Sequence, residues 1–377
     1  MKITQLSHLT DVTACPRLVV KVGSALLVGR DGAPRREWLA ALVAEIARAR
    51  AAGQEVIVVS SGAIALGARK LGLAKGGRGS LADAQAAASV GQIALAGLWA
   101  ELLANHGLTA AQILLTLEDL EDRRRYLNVT ATLGTLLAAG AVPVINENDS
   151  VATQEIRFGD NDRLAARVGQ AAGAAGVLLL SDIDGLYDRD PRAAGAVRIP
   201  VVRGVTAEIH AMATGGSSSG LGSGGMTSKL QAAEIAEMAG MALAIIDGQP
   251  VAPIAAAVGA DRGTLFLPRG RKQARKAWLG GKLRMRGSVH VDAGAASALA
   301  RGSSLLAAGV TAVDGTFQRG DAIAVVGPDG QTLARGLCEY DAVECVRLMG
   351  RHSREHEALL GYAPRSALIH RDQMVLL

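Results

Sequence analysis

The sequence predicts an α/β fold with a mainly parallel sheet, followed by a smaller β-rich module. Two observations predict the first part: short β-branched runs alternate with longer alanine- and leucine-rich segments, and several of the short runs are apolar on both faces. A third observation predicts the module, because glycine-punctuated segments of alternating polarity begin after Phe266. Helices should therefore cover both faces of the sheet.

The predicted strands share one property, which is that each ends in a small or polar residue. They lie at residues 17–23, 55–62, 111–116, 141–147, 176–182 and 242–248. The helices predicted between them lie at 36–52, 84–105, 123–139, 161–174 and 227–239. Because ligands of open α/β sheets bind beyond the carboxyl ends of the strands, we expect the polar strand ends to converge on one crevice.

A chain of 377 residues is long enough for two or more domains of about 100 to 200 residues each. We predict an α/β domain at 1–267, a basic linker at 268–283 and a β-rich domain at 284–377. Residues 268–286 carry eight Arg or Lys side chains and no acid, in a chain of net charge +5. This segment is typical of a solvated linker or of a nucleic-acid contact, and the 3% aromatic content favours the linker.

The sequence contains no uncharged apolar stretch of about 20 residues, and its first residues lack the apolar core of a secretory signal. We therefore expect no membrane segment and a cytoplasmic protein. The cysteines Cys15, Cys338 and Cys345 lack the C-x-x-C spacing of zinc sites and are expected to be free thiols. The histidines form no metal-binding or catalytic-triad grouping in the sequence.

The glycine-rich segment SGLGSGGMTSK (219–229) leads directly into a predicted helix. Glycine amides and a helix N-terminus together bind phosphate groups. The segment lacks the P-loop pattern, because Ser228 precedes Lys229 where that pattern has glycine. It matches G-x-G-x-x-G, but a dinucleotide site requires a strand immediately before the glycines, and the residues there read as a helix and a loop. A phosphate-binding loop is therefore favoured over a dinucleotide site or a plain connecting loop.

Charged and polar residues at the strand ends suggest the rest of a site. Lys21 lies in an apolar strand, where it needs solvent or an anion, and with Lys229 it could grip a polyphosphate. Ser60, Ser61 and Gly62 end another strand and suit an anion such as a carboxylate. The segment INENDSVATQEIRFGDND (145–162) is either a solvated acidic turn or a site for cations and amino groups. Its position after a strand favours the site.

Separate motifs together resemble one protein family. They are VVKVGSALL, VSSGAI, PVINENDSVAT with FGDND, LLLSDIDGLYDRDPR and SGLGSGGMTSKLQAAEIA. In this order they resemble the glutamate 5-kinases of the amino-acid kinase family, and the C-terminal segment resembles a PUA domain. The resemblance implies a three-layer α/β/α kinase domain, ATP with Mg²⁺, L-glutamate as acceptor, and inhibition by proline. We also expect a homo-oligomer.

The same resemblance implies roles for individual residues. Lys21 and Lys229 would neutralise the transferring phosphoryl group, and Asp162 would orient them. Glutamate would bind Ser61, Asp149 and Asn161, with Asp160 near its amino group. The nucleotide-binding positions are Lys21, Gly23, Ser181, Asp182, Ser223, Gly224, Gly225, Met226, Thr227, Ser228 and Lys229. No protein ligand for Mg²⁺ is implied, because the ATP phosphates would hold it.

The sequence departs from the family pattern in three ways. About ten residues precede the usual start, Ser228 reverses the familiar Ser-Thr order before the lysine, and Ser181 replaces a frequent threonine. Two other functions stay open at this point. The protein could phosphorylate aspartate, acetylglutamate or a nucleoside monophosphate, or it could bind RNA through the PUA-like module and the basic segment.

Overall fold

The computed structural model describes residues 2–29, 31–151, 161–213, 225–268, 285–362 and 365–377. The chain divides into two compact units, one of Met1–Leu120 with Val129–Arg271 and the other of Glu121–Asn128 with Lys272–Leu377. The predicted site residues Asp160, Ser223 and Gly224 lie outside the described residues, as does nearly all of the predicted linker. The domain boundaries at 267/268 and 283/284 therefore stay predictions.

The strands up to residue 268 include all those predicted from the sequence, with ends that differ by at most two residues. They are β1 Arg17–Val22, β2 Glu55–Ser60, β3 Ala110–Leu115, β4 Val142–Glu147, β5 Gly176–Ser181, β6 Leu186–Tyr187, β7 Arg198–Ile199, β8 Val201–Arg203, β9 Ala242–Asp247 and β10 Thr264–Leu267. The short strands β6, β7, β8 and β10 were not predicted.

The predicted helices are also confirmed, with ends that differ by at most three residues, and short helices occur between them. The helices are α1 Ser24–Leu27, α2 Arg36–Ala51, α3 Ala63–Leu71, α4 Leu81–Ala104, α5 Leu117–Glu121, α6 Arg123–Ala138, α7 Asn161–Ala172, α8 Ala207–Ala213, α9 Met226–Ala239 and α10 Pro253–Gly259.

The first unit is built on an eight-stranded sheet in the order β3-β4-β2-β1-β5-β9-β10-β8. The sheet is mostly parallel, as predicted, but β10 runs antiparallel to β9. Strand β1 lies between β2 and β5. The chain forms β2, β3 and β4 on one side of β1, and β5 and the later strands of this sheet on the other side. Ligands of open α/β sheets bind at such a switch in strand order.

Helices cover both faces of this sheet, as the sequence predicts. On one face α2, α4 and α10 pack on alternate strand residues such as Val20, Val58 and Leu180. On the other face α7 and α9 pack against each other, α7 on β1 and β5 and α9 on β9. Successive strand side chains point to opposite faces, so Lys21 lies on the α7 side. The three-layer α/β/α expectation is therefore confirmed.

Helix α4 is long and apolar enough, by length and composition alone, to cross a membrane. It also packs closely on α3 and buries Leu95, Trp99 and Leu103 in the core. These core contacts account for part of its apolar composition, since less than half of its most apolar stretch is buried.

The second unit contains a five-stranded sheet in the order β12-β11-β13-β14-β15. Its strands and helices are β11 Gly287–Val291, α11 Ala293–Ala300, β12 Val310–Gly315, β13 Ala322–Val326, β14 Thr332–Leu337, α12 Ala342–Leu348, α13 His356–Leu360 and β15 Met374–Leu376. The predicted β-rich character of this part is confirmed. All three cysteines of the chain are free and buried, and two of them, Cys338 and Cys345, lie in the core of this unit.

Candidate active site

The carboxyl ends of the parallel strands meet at one edge of the eight-stranded sheet. Lys21 on β1 is level with Val59 of β2 and Leu179 of β5, so Gly23, Ser61 and Ser181 follow side by side. The amide of Ser61 also donates a hydrogen bond of 3.0 Å to the carbonyl oxygen of Val22. The predicted convergence of the polar strand ends therefore occurs.

Asp162 joins the two predicted lysines. Its Oδ1 lies 2.6 Å from Lys21 Nζ, and its Oδ2 lies 2.9 Å from Lys229 Nζ. The three residues come from three elements, since Lys21 lies on β1, Asp162 in the first turn of α7 and Lys229 in the first turn of α9. Only 8% of Lys21, 1% of Asp162 and 6% of Lys229 is exposed. The two amines therefore share one carboxylate at a position almost completely shielded from solvent.

The environment keeps the Asp162 carboxylate ionised. Burial alone would raise its pKa, but the charges of Lys21 and Lys229 and their hydrogen bonds outweigh burial and lower the pKa to about 2. Two ammonium groups then face one carboxylate, which leaves one positive charge in excess. Such an excess in a buried crevice attracts an anion.

Helix α9 begins at this cluster, as predicted. Gly225 is its N-cap residue, with extended backbone at φ −65° and ψ 178°, and no atom of the described residues lies within 4 Å of where a Cβ atom would be. The first amides of a helix have no partner within the helix. The amides at Met226 and Thr227 therefore offer a site for phosphate oxygens beside Lys229. Ser228, between Thr227 and Lys229, is partly buried.

The strand ends β1 and β5 border the same crevice. Gly23 is the N-cap of α1, and a Cβ atom there would lie 3.7 Å from Lys21 Nζ. Ser181 is buried at the end of β5, and its hydroxyl donates to Asp182 Oδ1 at 3.2 Å. Asp182 is exposed. The predicted nucleotide-binding residues that the structure describes thus lie at neighbouring strand and helix ends.

A second cluster of polar side chains lies beside Asp162. Asn161 donates from Nδ2 to Ser61 Oγ at 2.6 Å and to Asn146 Oδ1 at 3.2 Å. Asn146, the next-to-last residue of β4, donates from Nδ2 to Gln92 Oε1 on α4 at 2.8 Å. The predicted glutamate-binding residues Ser61 and Asn161 are therefore in direct contact, one residue from the lysine cluster.

Asp149 follows β4 on the same side of the sheet and is partly buried. Burial raises the pKa of this carboxyl to about 6, and the nearby positive charge of Arg78 opposes the rise. A carboxyl with that pKa changes charge close to neutral pH. No hydrogen bond joins Asp149 to Asn161 or Ser61 among the described contacts, so its place in the acceptor site stays a prediction.

Gln92 was not among the residues singled out from the sequence, and Asn146 was noted only as a polar strand end. A signal for Gln92 exists, because it lies three and seven residues before Leu95 and Trp99, which are both buried. Residues spaced in this way share one face of a helix. A polar residue on the core face of an alanine-rich helix needs a polar partner.

The profile of the amino acid kinase family matches residues 16–247, and the profile of the PUA domain matches residues 287–360. The first match covers more than half of the chain and includes every predicted site residue.

Three curated proteins with similar sequences are described as glutamate 5-kinases. The protein from Novosphingobium aromaticivorans is 90% identical over all of both chains. The one from Sphingopyxis alaskensis is 62% identical over 97% of this chain and 98% of its own. The one from Zymomonas mobilis is 54% identical over 96% and 92%. The chain therefore belongs to the amino acid kinase family, and within that family to the glutamate 5-kinases.

Proposed function

We propose that the protein transfers the terminal phosphoryl group of ATP to the side-chain carboxylate of L-glutamate, which is the first step of proline synthesis. The observation that carries the proposal is the bonding of Lys21 and Lys229 to separate oxygens of Asp162. The family is one of kinases, which use ATP with a metal ion. The descriptions of the similar proteins support glutamate as the acceptor.

The reaction needs no general base. A glutamate side chain has a pKa of about 4.3, so its carboxylate is ionised at neutral pH and is already a nucleophile. The barrier comes from repulsion between this carboxylate and the phosphates, and from charge that builds on the transferring group. The proposed site accordingly supplies positive charge, through Lys21, Lys229 and the amides at the start of α9.

Asp162 has a positioning role in this proposal. It holds both amines at hydrogen-bond distance, so that they are oriented before a phosphate arrives. Orientation in advance is what makes fixed charges effective at a transition state. The burial of all three side chains strengthens their electrostatic effect and limits hydrolysis of the acyl phosphate product.

The acceptor is assigned to the neighbouring cluster. Asn161 and Ser61 would contact glutamate, and Asp149 would attract its ammonium group, with Asp160 assigned a similar role outside the described residues. The adjacency of Asn161 and Asp162 in α7 supports this assignment, because the acceptor must lie next to the transferring group. Buried polar groups that fit one ligand discriminate strongly against others.

Mg²⁺ is assigned to the ATP phosphates. In the described part of the chain, no group of three or more His, Cys, Asp or Glu side chains is placed to hold a metal ion. When bound, the ion would neutralise phosphate charge, and the lysines would complete that neutralisation.

The test is a coupled assay of ADP release from ATP and Mg²⁺, with hydroxylamine present to trap acyl phosphate as hydroxamate. L-glutamate should stimulate ADP release and yield hydroxamate, while aspartate, acetylglutamate and nucleoside monophosphates should not. Equal or greater stimulation by one of these acceptors would contradict the proposal. Added proline in the same assay tests the expected inhibition.

RNA binding is a second candidate function, favoured by the PUA match at residues 287–360. Binding of structured RNA with an affinity that falls steeply as salt rises would support it. Homo-oligomerisation and a cytoplasmic location stay predictions, which size-exclusion chromatography with light scattering and cell fractionation would test.

A further inference from the structure

A chain of three side-chain amides leads from α4 into the acceptor cluster. Gln92 Oε1 accepts from Asn146 Nδ2 at 2.8 Å, and Asn146 Oδ1 accepts from Asn161 Nδ2 at 3.2 Å. The same Asn161 nitrogen donates to Ser61 Oγ at 2.6 Å. Both hydrogens of the Asn161 amide are thereby engaged.

The amide chain has a direction. A primary amide donates from one end and accepts at the other, so the carbonyl of Gln92 turns the amino end of Asn146 toward α4. The carbonyl of Asn146 then faces Asn161 and fixes the amino end of that residue. The Oδ1 atom of Asn161 is left as an acceptor.

The hydrogen bonds from Gln92 through Asn146 fix the orientation of Asn161 Oδ1. Asn161 is only 5% exposed, and its Oδ1 is buried without a hydrogen-bond partner among the described residues. A buried acceptor without a donor is unfavourable, so the atom suits a ligand that brings an N–H group. The α-ammonium of an amino acid is such a group.

Helix α4 is held firmly where it carries Gln92. A Cβ atom on the adjacent Gly91 would lie 1.8 Å from the carbonyl oxygen of Ala63, at the start of α3. The two helices therefore cross with their backbones in contact. Further along α4, Trp99 Nε1 donates to Ser60 Oγ at 3.0 Å. Gln92 is thus fixed relative to the ends of β2 and β4.

We infer that Gln92 is a positioning residue of the acceptor site, which acts through Asn146 to aim Asn161 Oδ1 at the ammonium group of the substrate. The inference rests on the proposed function, and it adds a specificity determinant that does not itself contact glutamate. Loss of the Gln92 carbonyl should weaken the binding of glutamate and leave ATP binding unchanged.

The test compares Gln92→Leu, which removes the acceptor, with Gln92→Glu, which retains a side-chain oxygen. Gln112→Leu, at an exposed position of β3, is the matched control. Steady-state ADP release is measured against glutamate and then against ATP. We expect Gln92→Leu to raise the KM for glutamate about tenfold, as loss of one net hydrogen bond would, with kcat and the KM for ATP within about twofold. Gln92→Glu should restore most of the affinity, and Gln112→Leu should match the wild type.

Glutarate, which lacks the amino group, gives a second readout as a competitive inhibitor. Its inhibition constant should be the same in the wild type and in Gln92→Leu. If Gln92→Leu does not fold, as judged by its thermal melt, Gln92→Met replaces it.

An unchanged KM for glutamate, a parallel rise in the KM for ATP, or weakened glutarate binding would overturn the inference. Failure of Gln92→Glu to restore affinity would do so as well. A wild type that releases no ADP with glutamate overturns the proposed function, and the inference with it. If the wild type is active on glutamate and Gln92→Leu has an unchanged KM for glutamate, only the inference is overturned.

Discussion

The ammonium groups of Lys21 and Lys229 bond to opposite oxygens of one buried carboxylate, at 2.6 and 2.9 Å. The two lysines are far apart in the sequence. They come together because β1 ends, and α9 begins, at the same edge of the sheet. Asp162 can balance only one of the two charges. The remaining charge is the physical basis for expecting a phosphate there.

The first prediction concerns the ion pairs themselves. Asp162→Asn should lower the free energy of unfolding by about 3 to 5 kcal/mol without nucleotide, because two buried ammonium groups lose their anion. Added ATP analogue should raise the melting temperature more in this variant than in the wild type, since the phosphates replace the lost charge. Denaturant titration and thermal melts measure both effects. The exposed Asp261→Asn serves as control, and equal nucleotide shifts in all three proteins would argue against a phosphate near Asp162.

The second prediction concerns how the Asp162 carboxylate changes the free energy of unfolding at acid pH. The pKa of Asp162 falls from 3.8 to about 2 on folding. Its stabilising effect is therefore complete only above about pH 5 and is lost as the pH falls through the folded-state pKa. The unfolding free energy of the wild type should decline across that window more steeply than that of Asp162→Asn. Parallel profiles from urea titrations at each pH would contradict the assigned ion pairs.

A further prediction follows from Asp149. Because its pKa is raised to about 6, protonation below that pH removes the negative charge proposed to attract the ammonium of glutamate. The KM for glutamate should rise about tenfold for each pH unit below 6 and level off above 7. Asp149→Asn should have a raised KM without this pH dependence. Persistence of the dependence in the variant would assign it to another group, and the KM for ATP at each pH is the control.

The close crossing of α3 and α4 predicts opposite effects on stability for two glycine-to-alanine substitutions in α4. Gly91→Ala should cost about 1 to 3 kcal/mol or more, because the new methyl group overlaps the Ala63 carbonyl oxygen. On the same helix, no described atom lies within 4 Å of where a Cβ atom on Gly97 would be, so Gly97→Ala should stabilise the protein by up to about 1 kcal/mol. Denaturant titration of both variants checks this, and a neutral Gly91→Ala would disprove the tight crossing.

Most of the fold could be predicted from the sequence. The strands β1, β2, β5 and β9 are short runs of buried apolar residues, which only a sheet covered on both faces accommodates. The strands β8 and β10 were missed because each has four residues or fewer and pairs only with residues distant in the sequence. Pairing with distant residues leaves no pattern in the neighbouring sequence that would reveal these strands.

The grouping of the candidate site residues was predictable where a motif marks them, and not where helix packing brings them together. Lys21, Asp162 and Lys229 belong to motifs, and the structure brings them together. Gln92 belongs to no motif, because its approach to Asn146 depends on how closely α4 crosses α3. That distance is set by Gly67 and Gly91, whose role becomes visible only when the two helices are placed.

The central claim is that Lys21 and Lys229 act on one transferring phosphoryl group. The most direct measurement is glutamate-dependent turnover in Lys21→Ala, in Lys229→Ala and in the double variant, each checked for folding. We expect each single change to lower kcat roughly 100- to 1000-fold, and the double change to cost less than the product of the two, because both amines serve the same charge. Near-normal turnover in either correctly folded single variant would contradict the claim.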